Sequence, residues 1–185
     1  MDMAALSSVF SSPALGHLTP AALATLLAAS ALLLRMAQSD LRNMVLPDGL
    51  TMSLAILGFL SSAGEILPGQ TERGALMGAA LGGVFFFLIR AWLSRRLGTE
   101  ALGLGDVKLS FACGALFGPA TLLLHMLLTV VFGLWMFVAA SRAAERDGDN
   151  APRVIPLGPS MCLSAFSLLA IEAFGFSPGS WLFSI

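Results

Sequence analysis

The sequence predicts an all-α integral membrane protein, a bundle of six transmembrane helices. Three observations carry this. Of the 185 residues, 57% are hydrophobic and only 11% charged, whereas a soluble domain carries roughly a quarter charged residues. Apolar runs close to the ~20 residues needed to cross a bilayer recur along the chain. The basic residues also fall almost wholly on one side of those runs, as the positive-inside rule requires. The formal net charge of −1, without a basic tract, points to no nucleic-acid partner.

Residues 1–20 hold Ser, Pro, Ala and Thr without a basic n-region, which argues against a cleaved signal peptide and for a tail or interfacial segment. The first span is 21–39, and Asp40 ends it. The second, 50–66, carries Glu65 only at its far end. In the third, 74–93, Gly74, Gly78 and Gly82 recur every four residues, with Ala75, Ala79 and Gly83 one step round. Such small-residue rows let helix backbones approach closely in lipid. The fourth, 106–118, is short and joins the fifth, 120–141, through Gly118-Pro119, read as a tight hairpin. The sixth is 155–175, followed by a C-terminal tail over 176–185. One membrane domain over 21–175 is expected, with no second globular domain. Cys113 and Cys162 lie inside spans and form no CxxC, which argues against zinc and redox motifs and for packing.

With the amino terminus outside, the inner loops are 40–49, 94–105 and 142–154. Nine of the ten basic residues fall in or beside them, and only Arg73 falls on the other side. Both termini are then expected outside. Asp40, Asp106 and the run Pro156-Leu157-Gly158-Pro159, from three distant parts of the chain, all land at the cytoplasmic face. A carboxylate at membrane depth is costly and tends to face a protein interior or a wet cavity.

Two carboxylates on separate helices are the minimum equipment for aspartyl proteolysis. One, ionised, takes a proton from water; the other, protonated, polarises the scissile carbonyl. Two close carboxyls supply both forms because like charges resist simultaneous ionisation, and such a pair titrates as a unit. No metal or other cofactor is expected. Gly103 and Gly105, beside Asp106, offer backbone conformations closed to other residues and room for a passing chain. Pro156, Gly158 and Pro159 begin the sixth helix either with irregular backbone that clamps a substrate strand or as an ordinary helix start with Pro in its first turn.

Each residue also has a plainer reading. Asp40 ends a helix at an interface, Asp48 caps the second helix, and Asp106 caps the fourth. Lys108, two residues beyond Asp106, shares no helix face with it, whereas Ser110 and Cys113 do; Lys108 is expected to snorkel toward headgroups. His125, far from the aspartates, is expected to be packed or hydrogen-bonded, and Glu172 lies near the outer face.

Asp40-Leu41-Arg42-Asn43-Met44-Val45-Leu46-Pro47-Asp48 resembles the first aspartate motif of type IV prepilin peptidases. Gly103-Leu104-Gly105-Asp106-Val107-Lys108-Leu109 is similar to their GxGDxKL motif. Ile155-Pro156-Leu157-Gly158-Pro159 is similar to their Pro-Phe-Gly-Pro segment, with Leu157 in place of Phe. The resemblance covers roughly 21–175. It implies a membrane aspartyl endopeptidase, with Asp40 and Asp106 as the catalytic pair and Gly103, Gly105, Asp48, Pro156, Gly158 and Pro159 as supporting or substrate-binding residues. Its substrates would be prepilins or pseudopilins, whose short basic leader stays at the cytoplasmic face of a bacterial inner membrane and is removed there, while the adjoining apolar pilin helix sits in the membrane. Larger members carry a cytoplasmic domain, often with CxxC pairs, that methylates the new amino terminus. This chain shows neither, so it resembles the short, peptidase-only type of Flp (tight-adherence) pilus or archaeal preflagellin systems. Two other classes compete. Intramembrane GxGD proteases of the presenilin or signal-peptide-peptidase kind place their first aspartate in a Tyr-Asp pair, and this chain has no tyrosine. A small proton-coupled transporter would spread its acids across the membrane depth.

Overall fold

The computed structural model describes residues 19–43, 46–67, 70–98, 102–147 and 157–173, the side chains of 143–147 apart. Among them the regular structure is entirely helical: α1 (Pro20–Asn43), α2 (Asp48–Ala63), α3 (Glu72–Leu97), α4 (Leu104–Asp147) and α5 (Gly158–Ala173). Three helices contain segments long and apolar enough to cross a membrane, at Pro20–Asn43, Glu72–Leu97 and Leu104–Arg142; α2 and α5, at 16 residues each, are shorter. Leu27, Trp92, Leu123 and Trp135 are more than half exposed, so large apolar side chains face outward as lipid requires. The chain is a membrane protein.

The fourth and fifth expected spans are two helices that meet at Gly118 without an intervening loop, where the backbone is non-helical (φ 73°, ψ 177°); they form the two arms of α4. An unbroken helix from Leu104 to Gly133 would rise about 43 Å. Instead, Gly133 backs onto Ser160 and Leu157, the neighbouring Gly158 backs onto Asp40, and Asp40 lines one cavity with Leu104. The two arms of α4 therefore fold back on each other. Gly118 makes the turn in left-handed backbone that a side chain would strain, and Pro119 opens the second arm, where its missing N–H costs nothing.

Local chemistry sets the helix ends. Thr71 caps α3, its hydroxyl accepting from the Gly74 amide at 3.0 Å, with Glu72 in the first turn and Arg95 and Arg96 in the last. Those charges suit the helix dipole, and Gly98 closes α3 in the left-handed region. The glycine rows then decide the packing. Gly78 of α3 lies against the backbone at Gly114 and Gly118, and Gly82 lies against Ser110. Gly58 of α2 presses likewise on Ala115 and Leu116. The first arm of α4 is thus a central column, with α2 running parallel to it and α3 antiparallel. On the other side, α5 packs against α1 and the second arm of α4. Leu33, Met36, Leu54, Leu109, Leu116, Met161 and Leu168 fill the shared core.

Candidate active site

The buried stripe of α1 reads Ala22, Thr25, Leu26, Ala29, Leu33, Met36, Asp40, a three-and-four spacing that keeps one face inward. Asp40 extends that stripe by one turn. Its side chain is carried into the bundle, 4% exposed, with Oδ2 buried and without a hydrogen-bond partner among the described residues. Asp106 lies in the first turn of α4, which begins two residues earlier at Leu104, so it is not the helix cap. It is 9% exposed. The two acids line one cavity of about 350 Å³ together with Leu46, Asp48, Gly103, Leu104, Gly105 and Lys108. The amino-terminal ends of α4 and α5 both approach this cavity. Each carries a partial positive charge that favours an anion there.

The glycines act through close approach. Positive φ occurs at Glu65, Gly98 and Gly118 among the described residues, so the expected backbone freedom of Gly103 and Gly105 is not used. A Cβ on Gly105 would lie 3.1 Å from Leu46 Cβ, and one on Gly103 would lie 3.4 Å from Asp106 Oδ2. Gly158 is tighter still: a Cβ there would collide with the Asp40 carboxyl group and with Leu46 Cδ1. Gly158 and Pro159 are both helical, in the first turn of α5, and both are buried. The ordinary helix start is therefore what these two residues form, rather than an irregular clamp. Pro156 lies outside the described residues.

Two expectations are corrected. Lys108 does not snorkel along its own helix; its Nζ donates to Asp48 Oδ1 at 2.7 Å. The first arm of α4 and α2 run side by side, so the long lysine stem reaches an acid one helix away. Asp48 in turn is not a cap. Pro47 holds that position and no side chain caps the helix, so Asp48 sits in the first turn with its carboxylate turned to Lys108. His125 is buried as expected, its Nδ1 2.8 Å from Ser164 Oγ, which is also 2.8 Å from Thr129 Oγ1. That cluster joins the second arm of α4 to α5.

Sequence reasoning missed two residues. Leu46 is wedged between Gly105 and Gly158, so it touches both halves of the site; nothing in an isolated leucine signals this. Arg90 Nη1 donates to Leu102 O at 2.7 Å, tethering the segment that leads into Asp106. An arginine within the last turn of an otherwise apolar run was a legible signal.

A profile of the type IV leader peptidase family matches residues 21–138. The prepilin leader peptidase/N-methyltransferase of Xanthomonas campestris pv. campestris is 32% identical over 143 residues, 74% of this chain and 46% of that protein. The protein of the same description from Klebsiella pneumoniae is 41% identical over 98 residues, 50% of this chain and 42% of its own. The type 4 prepilin-like proteins leader peptide-processing enzyme of Escherichia coli is 29% identical over 144 residues, 78% of this chain and 50% of its own. The chain spans about half the length of the curated relatives it matches. No solved structure matches it. Because the family profile runs through both acids and the helices that bring them together, the chain belongs to the type IV leader peptidase family.

Proposed function

We propose that the protein is an aspartyl endopeptidase that removes the short basic leader from type IV prepilin-like precursors at the cytoplasmic face of a bacterial inner membrane. The observation that carries this reading is that Asp40 and Asp106, from the end of α1 and the start of α4, are both buried side chains lining one cavity. One carboxylate takes a proton from water, and the water oxygen adds to the scissile carbonyl carbon. The other, protonated, hydrogen-bonds the carbonyl oxygen as charge develops. The C–N bond then breaks, the proton passes to the leaving amine, and the pair returns to one proton shared between two acids. Gly158 leaves room for the Asp40 carboxyl group, while Leu46 and Gly105 shape the wall opposite.

The two arms of α4 count as two crossings, which makes six with both termini outside. We read the activity as cleavage without methylation, supported by the absence of CxxC from these 185 residues. Flp-type prepilins are the first substrates to try. Co-expression with a candidate prepilin, followed by mass spectrometry, tests this. The parent should shorten the precursor by its leader and leave the new amine without an added methyl mass. Asp40→Asn and Asp106→Asn should each lower cleavage by at least about a thousandfold. Full cleavage by either variant would remove the dyad, and an added methyl mass would remove the peptidase-only reading.

A further inference from the structure

A second cavity, about 590 Å³, opens beside the carboxylate site and is bounded by α2, α3 and the first arm of α4. Its lining follows the helix axes. Asp48 and Ala55 on α2 are seven residues apart, and so are Ala80 and Phe87 on α3, with Gly83 and Val84 between them. Seven residues are two turns and about 10 Å of rise, so this is an elongated groove parallel to the helices. The inner end lies at Asp48, Phe87 and Lys108; the deep end lies at Ala55, Ala80 and Phe111. Small residues line it at Ala55, Ala80 and Gly83, as close helix approach in lipid requires, and Phe87 and Phe111 add two aromatic rings. Asp48 and Lys108 line both cavities, so the groove and the carboxylate site meet at their ion pair.

We infer that this groove docks the apolar helix that follows the leader in the precursor, placing the residues before that helix over the Lys108–Asp48 pair and onto Asp40 and Asp106. The inference rests on the peptidase reading and deepens it by naming where the substrate's membrane segment sits. A lipid acyl chain matches the groove's polarity equally. Continuity with the carboxylates favours the peptide, because a helix lying along the groove leads its own amino-terminal flank to the acids.

A photoreactive benzophenone side chain at Val84, 57% exposed, in the full chain carrying Asp106→Asn tests the placement in native membranes containing the uncleaved precursor. The expected adduct joins Val84 to the precursor's apolar segment; the same probe at Leu127, on the second arm of α4, should give none. An adduct of lipid mass only, or adducts from Leu127 and none from Val84, overturns the inference. A kinetic arm uses Ala80→Trp in the otherwise unchanged chain. The ratio of kcat/KM for the whole precursor to that for a soluble peptide spanning only the junction should fall about tenfold; an unchanged ratio also overturns it. If the parent cuts neither substrate, the peptidase reading fails, while the Val84 adduct still decides whether the groove holds the helix.

Discussion

Gly158 touches the Asp40 carboxyl group with bare backbone, which makes a single methyl group a sharp probe of the site. Gly158→Ala places that methyl against Asp40 and Leu46. Helical content should be retained, because the glycine is already helical, while cleavage falls by at least about tenfold as Asp40 is displaced. Normal cleavage by Gly158→Ala would show that this contact does not set the acid's position. The Lys108–Asp48 pair is a different case. Its side chains are 41% and 75% exposed, so a double-mutant cycle read by thermal unfolding should give a coupling of about 1 kcal/mol or less. His125 stands away from the acids in a buried hydrogen-bonded cluster. Its replacement by alanine should cost roughly 1–3 kcal/mol of stability while the protein still cleaves at low temperature. A chemically dead but folded His125→Ala would give this residue a catalytic part.

At the scale of elements, the bend in α4 and the glycine contacts around its first arm hold the site together. Gly118 sits at φ 73°, ψ 177°, a region adopted essentially only by glycine, so Gly118→Ala should destabilise by roughly 1–3 kcal/mol through backbone strain alone. Gly78→Leu is harsher, since its side chain would have to enter the backbone of Gly114 and Gly118. The expected result is loss of folded, monodisperse protein in detergent, because close-packed interiors transmit such overpacking. The four-residue glycine spacing made this contact legible in advance; its counterpart at Gly58 was not, because a single glycine has no period.

At the scale of the whole molecule, the proposed function puts the acids at the cytoplasmic end of the bundle, an expectation that rests on the positive-inside rule. That orientation is measurable. Single cysteines at Arg73 and Arg96, tested with a membrane-impermeant maleimide, should react from opposite sides: Arg73→Cys in intact cells and Arg96→Cys only after the membrane is opened. Cys113 and Cys162 are buried, at 0% and 3% exposure, so the parent gives a low background. Reversed labelling would put the acids on the outer face and exclude a leader that stays inside.

The sequence by itself determined the membrane class and the helical runs, and it put forward an orientation and two acids, because hydropathy, charge bias and short motifs are local properties of the chain. The stripe from Ala22 to Met36 that carries Asp40 inward emerges only in the folded bundle, because that run is apolar on nearly every face. Only the tertiary structure decided what each acid meets. Lys108 pairs with Asp48 across two helices, Leu46 wedges between Gly105 and Gly158, and an apolar groove joins the carboxylate cavity at that ion pair. Those contacts depend on the bend at Gly118 and on how closely glycine faces let backbones approach, and both are properties of packed helices rather than of any one run of residues.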